Sequence, residues 1–496
     1  MLWLKIGLAA GVSYILGKPI SIVKSFKEKH ILLTGSTGFI GKVFLALLLQ
    51  YVPTVNKISL LIRKKRSKSA AQRVREMLNE SPVFQNLRFK YGQQFEKEVM
   101  AKLQVIEGDL CHENLDINNA QVYDLNFDLL INFAGLVDFN PDLGSALLSN
   151  TLAIENLVAF VKKYAPQEGL LHASTCYVAG ATDSPVAEES ICEASPAEYS
   201  FDVMKEVSYL KNMLGLTGCP INSLDDKFGE ERAKYFGWPN IYTYTKALGE
   251  GILANRGTDI SWAIVRPSIV EGALDYPFEG WNEGYNTMAP ISYAIGQIKY
   301  IPAQANIPLD IIPVDLVAKG IILVAAEMMI SKTKLKKIYQ LGTSRVNPIS
   351  FKSAAEMVND YFENNRSNFS LRFKKGIKCV KLWHPLTPAN KRKGLSMAAN
   401  LLSLIPVNEA NEIARTIMSD CKKAYNVEAI IDVYLPFIYW NRCTFKSQNI
   451  EDHEVQEPEL KYSPKKINWD NYFKNVQMPG MDRWFYSKMD RKRRKF

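Results

Sequence analysis

Apolar residues run along this chain in two rhythms. Short continuous runs recur at HILLT from His30, KISLLIR (57–63), LQVIEGD (103–109), DLLINFAG (128–135), GLLHAST (169–175), SWAIVRP (261–267) and KIYQLG (337–342). Between them lie longer stretches with helix-like apolar spacing, such as SAAQRVREMLNE, GSALLSNTLAIENLVAFVKKYA and YTYTKALGEGILANR. Runs that are continuous rather than alternating predict strands buried on both faces, and their alternation with helices predicts a parallel sheet. The expected fold class is therefore α/β, a Rossmann-type doubly wound sheet.

Two regions depart from that rhythm. Residues from about 182 to 240 combine acidic, proline-containing text (SPVAEESICEASPAEYSFDVM) with charged helical text (LDDKFGEERAKYFGW), and read as an insertion over the active site. Beyond about residue 345 the strand signal fades into mainly helical text. The predicted organisation is an apolar N-terminal segment (1–26), a nucleotide-binding domain (27–345), a mainly helical C-terminal domain (346–480) and a basic tail (481–496).

Composition narrows the class. A chain of 496 residues with 47% apolar and 23% charged residues has the balance of a globular protein, which excludes wholesale disorder, collagen and a polytopic membrane protein. Its net charge of +10 leaves nucleic acid, an anionic membrane face and phosphate-rich ligands as partners. Basic residues are not interleaved with a nucleic-acid-binding module, so nucleic acid is the weakest of the three. Seven scattered cysteines without a C-x-x-C pair fit a reducing cytoplasm, and the five histidines lack metal-ligand spacing, so no metal site is expected. Residues 1–18, MLWLKIGLAAGVSYILGK, are apolar but shorter than the roughly 20 residues a bilayer requires. They read either as a segment lying in the membrane interface, with Trp3 and Tyr14 at headgroup level, or as a helix packed on the protein itself.

The glycine-rich turn after the first run carries the first chemistry. Thr34, Gly35, Ser36, Thr37, Gly38, Phe39, Ile40 and Gly41 form T-G-x-x-G-x-x-G between strand and helix, where glycines admit a tight turn and a pyrophosphate against the helix N-terminus. The second strand ends in Arg63 and Lys64 with no carboxylate beside them, which suits a 2′-phosphate and points to NADPH. Asp109, with Leu110 beside it, is placed for adenine, and Asn132, Ala134 and Gly135 are expected to line the cofactor. Tyr242 and Lys246, at i and i+4 on a helix, share a face, and the ammonium is expected to lower the phenol's pKa and to hold the nicotinamide ribose.

With HASTCYVAG (172–180) upstream, these residues resemble the extended short-chain dehydrogenase/reductases. That resemblance implies Thr175 as the hydroxyl partner of Tyr242, Asn150 at a proton-relay position, and Arg266-Pro267-Ser268 as the segment turning toward substrate, with Pro267 at the cofactor. TGSTGFIGK, LLIR, STCYV, YTYTKALGE, IVRPSIVEG, Glu279-Gly280-Trp281, IPVDLV (312–317) and INWDNY (467–472) are similar, in order, to the alcohol-forming fatty acyl-CoA reductases. The implied activity is NADPH-dependent reduction of long-chain acyl-CoA to a primary alcohol, with Thr175, Tyr242 and Lys246 catalytic and Asn150 assisting. Gly135 stands where alanine is commoner in that family, and the loss of a methyl is expected to be tolerated. Cys176 is expected to face the core. Three rivals remain: an acyl thioester reductase that stops at the aldehyde, another extended dehydrogenase or epimerase acting on a lipid or nucleotide sugar, and a membrane-associated NADPH-binding scaffold. The expected location is cytoplasmic and peripheral on a membrane.

Overall fold

Each apolar run becomes a buried strand: β1 His30–Thr34, β2 Lys57–Ile62, β3 Leu103–Glu107, β4 Leu129–Asn132, β5 Gly169–Ala173, β6 Trp262–Pro267 and β7 Lys336–Leu341. A computed structural model of the chain describes residues 19–486, apart from 66, 119–124, 140, 165–167, 184, 190–194, 217–226, 284–287, 366–375, 406 and 452. The apolar segment 1–18, Arg66 and the end of the basic tail (487–496) lie outside the described residues.

All seven strands are parallel, in the order β7-β6-β5-β4-β1-β2-β3. Ile31 of β1 is paired with both Ile58 of β2 and Leu129 of β4, so the strand order reverses around β1. Such a switch point opens a crevice at the carboxyl ends of β1 and β4, where ligands of doubly wound sheets bind.

Helices cover both faces. On one side, α1 (Phe39–Tyr51) contributes Val43, Phe44 and Leu47 to a core shared with Ile321 and Ile322 of α7 (Val314–Ile330). On the other side, α3 (Ala153–Tyr164) and α6 (Ile241–Arg256) bury Leu157, Val158, Leu248 and Ile252. The crossover from β2 to β3 carries α2 (Ala70–Glu80), which opens on a capping box between Ser69 and Gln72.

The described part of the 182–240 insertion differs from the expected roof. It contains α4 (Val203–Met213) and α5 (Phe228–Tyr235); Val207 and Leu210 of α4, with Phe201 and Trp238 of the flanking segments, are buried in the same core as α6. Arg232 of α5 donates through Nε and Nη2 to Glu206 of α4 at 2.8 and 2.6 Å, and the Tyr244 hydroxyl of α6 donates to the same carboxylate. These helices buttress α6 from behind, because their apolar faces have that helix and one another to cover.

The C-terminal part is mainly helical and returns to the sheet. Following α8 (Phe351–Asn364), a strand at Lys378–Val380 joins Tyr300–Pro302, and α9 (Pro388–Ser403) and α10 (Asn408–Leu435) form a hairpin. Farther on, Ile20 pairs with Val455, and Tyr472 and Phe473 enter the core with α1 and α7.

Candidate functional site

The cleft at the sheet's switch point is made of backbone. Gly35 has φ +68°, and a Cβ there would lie 2.5 Å from the Ala134 nitrogen, so only glycine lets β1 turn under the β4 loop. A Cβ on Gly41 would overlap the Gly35 carbonyl, so α1 starts hard against the turn. Gly38 caps α1 without a side-chain hydrogen bond, which leaves the first amides free for an anion.

Thr34, Gly35, Thr37 and Gly38 line one wall, Asp109 and Leu110 another, and Ala134 and Gly135 a third. Arg63 reaches the cleft, but its guanidinium lies 3.8 Å from Asp109 on the neighbouring strand end. The expectation of no carboxylate beside Arg63 is therefore corrected: parallel pairing of β2 with β3 brings Asp109 there. Lys64 is exposed and does not line the cleft. Its place beside Arg63 is taken by Arg73 of α2, whose Nη1 donates to the Arg63 carbonyl at 2.5 Å and whose Nη2 donates to Thr37 Oγ1 at 3.4 Å. Sequence reasoning missed Arg73; the available signal was its position one residue beyond a capping box that starts the helix after β2.

Four further expected cofactor residues act from beneath. Asn132 is fully buried, accepting from Thr34 Oγ1 at 2.5 Å and pairing with His172 Nδ1 at 3.0 Å, so it ties β1, β4 and β5 together and does not line the cleft. Phe39 stacks on Trp281 with centroids 5.0 Å apart, and Ile40 packs on the same core. Pro267 offers its carbonyl to Thr175 Oγ1 at 3.4 Å and lies outside the cleft wall.

The catalytic candidates converge at the start of α6. Asn240 caps this helix by accepting from the Thr243 amide at 2.9 Å, which sets Tyr242 in the first turn and Lys246 in the second. The Tyr242 phenol stands beside Thr175. Desolvation pushes the phenol up to about 12, and the Thr175 hydroxyl opposes this without overcoming it. The expected lowering by Lys246 is thus not realised in this state. Desolvation acts on both groups, and it brings Lys246 down to about 8 while Nζ donates to the Ala173 carbonyl at 2.8 Å.

Asn150 sits in a π turn (Leu147–Leu152), its Oδ1 accepting from the Leu136 amide at 2.8 Å and its Nδ2 donating to the Leu136 carbonyl and Thr245 Oγ1. Its side chain clamps the β4 loop to α6. A Cβ on Gly135 would lie 3.0 Å from Asn150 Oδ1 and 3.3 Å from Lys246 Nζ, so the glycine makes room at the lysine. Arg266 is fully buried on a bidentate pair with Glu250, one turn beyond Lys246, and so fixes α6 to β6. Cys176 faces the core as expected, with burial raising its thiol well above its ordinary range.

An aromatic roof closes over these groups from the far end of the chain. The Phe139 ring lies 6.2 Å from Tyr242 and packs on Tyr434 and Phe437 at 5.9 and 5.6 Å, while Tyr177 meets Phe437 at 5.0 Å. Phe139 stands against the phenol ring, and Tyr434 at the end of α10 and Phe437 just beyond it pack on Phe139.

Comparison with known proteins identifies the family and the fold. The family described as male sterility protein, an NAD-binding family, matches residues 33–321. The chain is 29% identical to fatty acyl-CoA reductase 8 of Arabidopsis thaliana, and 27% identical to the alcohol-forming fatty acyl-CoA reductase of Simmondsia chinensis. Each alignment covers 93% of this chain and 98% of the relative. Among solved structures, the terminal R domain from the myxalamid PKS-NRPS biosynthetic pathway superposes with a TM-score of 0.56 over 94% of this chain and 91% of that one, at 14% identity. An archaeal thiolation-reductase di-domain superposes with 0.53 over 93% and 79%, at 17% identity. These two show the fold.

Proposed function

The chain belongs to the male sterility protein family, and from that membership we propose that it reduces long-chain fatty acyl-CoA to a primary alcohol with NADPH. The observation that carries the reading is the Thr175–Tyr242–Lys246 group under an aromatic roof, beside a cleft built for phosphates. The cleft fits a dinucleotide: a Cβ at Gly35 would fill the turn, and the uncapped start of α1 faces it. Arg63 and Arg73 together offer two guanidinium forks against one carboxylate, Asp109, which favours a ligand bearing an extra phosphate.

When bound, the cofactor supplies a hydride to the substrate carbonyl. The hydroxyls of Thr175 and Tyr242 donate to the thioester carbonyl oxygen and stabilise the charge that grows on it. Lys246, charged below about pH 8, would hold the ribose hydroxyls of the bound cofactor. The resulting hemithioacetal loses CoA thiol to give the aldehyde. In a second reduction Tyr242 delivers its proton to the alkoxide as the alcohol forms. Phe139, Tyr434 and Phe437 exclude water from the carbonyl and offer an apolar surface to the acyl chain.

Purified protein supplied with NADPH and long-chain acyl-CoA is expected to release alcohol with about two NADPH consumed per product, the count four-electron reduction demands. Aldehyde accumulating with one NADPH per thioester would replace this reading with that of an aldehyde-forming reductase, and no acyl-CoA-dependent oxidation of NADPH would reject it.

A further inference from the structure

The α9–α10 hairpin is inverted relative to a water-soluble one. Toward its tip the buried positions are alanines, Ala399 and Ala414, whereas Met397, Leu401, Leu404, Val407, Ile413 and Met418 point outward. Leu404, close to the turn, is 78% exposed. Small residues between helices and large apolar ones outside is the pattern of helices whose surroundings are apolar. A contiguous exposed set of this kind marks an interaction surface.

The flanks give the surroundings a chemistry. Lys391, Arg392 and Lys393 on α9, with Arg415 and Lys422 on α10, set five cations against three acids, Glu409, Glu412 and Asp420, between residues 391 and 422, while Arg392 is itself ion-paired to Glu428 farther along α10. Two exposed aromatics stand behind the tip, each next to a cation: Trp383 with Lys381 Nζ at 5.0 Å, and Tyr425 with the Arg392 guanidinium at 5.6 Å. An exposed apolar end that also carries Glu409 and Glu412, a net basic flank and two aromatic rings toward the base suit the headgroup–acyl boundary of an anionic bilayer.

We propose that the tip of the α9–α10 hairpin is a bilayer-docking element that seats in the headgroup–acyl boundary of a membrane containing anionic lipid. The site is separate from the terminal segments, and it does not depend on the proposed chemistry. Its geometry nonetheless joins membrane and catalysis. α10 has 28 residues, about 42 Å of helix, with its first turn at the exposed tip and its last turn presenting Tyr434 to Phe139 beside Tyr242.

The test is flotation of the full chain with phosphatidylcholine vesicles, with and without phosphatidylserine. Leu401→Ser/Leu404→Ser/Ile405→Ser is expected to lower the vesicle-bound to free ratio at least tenfold, because three aliphatic side chains no longer leave water on binding. Phe89→Ser, at an exposed apolar residue elsewhere, is expected to float like the unchanged protein. Added salt is expected to weaken binding to the phosphatidylserine vesicles more than to phosphatidylcholine alone. Should the triple variant fail to fold by its thermal transition, Leu404→Ser alone is expected to give a several-fold drop in the same assay. Flotation unchanged in the hairpin variant that folds overturns the proposal, as does flotation lost only on deleting 1–18 and 487–496. A dimer that the hairpin variant dissociates, with no vesicle binding by the unchanged protein, overturns it in favour of a second copy as the occupant.

Discussion

Tyr242 and Lys246 experience the same burial with opposite signs. Removing water disfavours the charged form of each, so the phenol rises to about 12 and the ammonium falls to about 8. At neutral pH both therefore hold their protons, which suits a phenol that donates a proton to a developing alkoxide. Tyr242→Phe is expected to lower turnover by about 10²- to 10⁴-fold, the usual worth of a positioned acid. NADPH binding, followed by its fluorescence, is expected to be kept, since the cleft walls do not involve the phenol. Unchanged turnover would remove Tyr242 from the proposed role. The Y-x-x-x-K spacing and the Thr175 segment were legible in the sequence because they are local. The direction of the phenol's shift was not, because its desolvation depends on how the folded chain surrounds it, including Phe139 from a distant position, itself packed on Tyr434 and Phe437.

At the level of elements, α6 and the β2–α2 connection are held by partners that no local pattern announces. Glu206 receives the Arg232 guanidinium and the Tyr244 hydroxyl, joining α4, α5 and α6. Glu206→Ala leaves a half-buried guanidinium and a buried phenol without their acceptor. It is expected to cost about 3–5 kcal/mol by denaturant unfolding, with KM for acyl-CoA little changed, because the pair lies behind the helix. A loss below about 1 kcal/mol would mean the insertion does not brace α6. On the other face, Arg73→Ala is expected to reduce the ratio of kcat/KM with NADPH to that with NADH by roughly tenfold or more, the scale of one lost charge-assisted hydrogen bond. An unchanged ratio would confine phosphate selection to Arg63. Lys64 looked the better candidate in sequence because it adjoins Arg63. A helix returning over the strand end decided otherwise, bringing Arg73 against the Arg63 carbonyl.

On the scale of the whole molecule, the C-terminal part completes the core. Gln477 donates to Glu271 at 2.7 Å, the Tyr472 hydroxyl donates to the Gly272 carbonyl at 2.7 Å, and Ile20 pairs with Val455. Glu271 is buried, its carboxyl raised to about 8 mainly by desolvation, against the hydrogen bonds from the Met288 amide and Gln477. Tyr434, Tyr472 and Tyr486 feel its charge, and Asp315 lies close enough to Tyr472 to act on it as well. Unfolded, Glu271 ionises near 4.5; folded, it keeps its proton to about 8. The folded state therefore binds more protons between those values. The stability this supplies is full below 4.5, declines as pH rises, and is gone above about 8. Thermal midpoints are expected to fall from pH 5 to 9, and Glu271→Gln, which keeps an acceptor for Met288, is expected to flatten that slope. A slope of equal size in the variant would assign it to another group.

The sequence by itself determined the parallel sheet, the seven strand positions, the glycine turn and the Thr175–Tyr242–Lys246 set. The first three rest on residues near one another in the chain or on burial of a strand's two faces, while Thr175 joined Tyr242 and Lys246 only through the family resemblance. Tertiary structure alone decided which cations meet the cleft, that Asn132 and Asn150 serve as clamps, that the described insertion braces α6, and that the end of α10 packs on Phe139 beside the phenol. Those outcomes depend on which surfaces are brought together and dehydrated after the chain has crossed the sheet, and neither hydrophobic spacing nor a motif encodes which distant side chain will arrive.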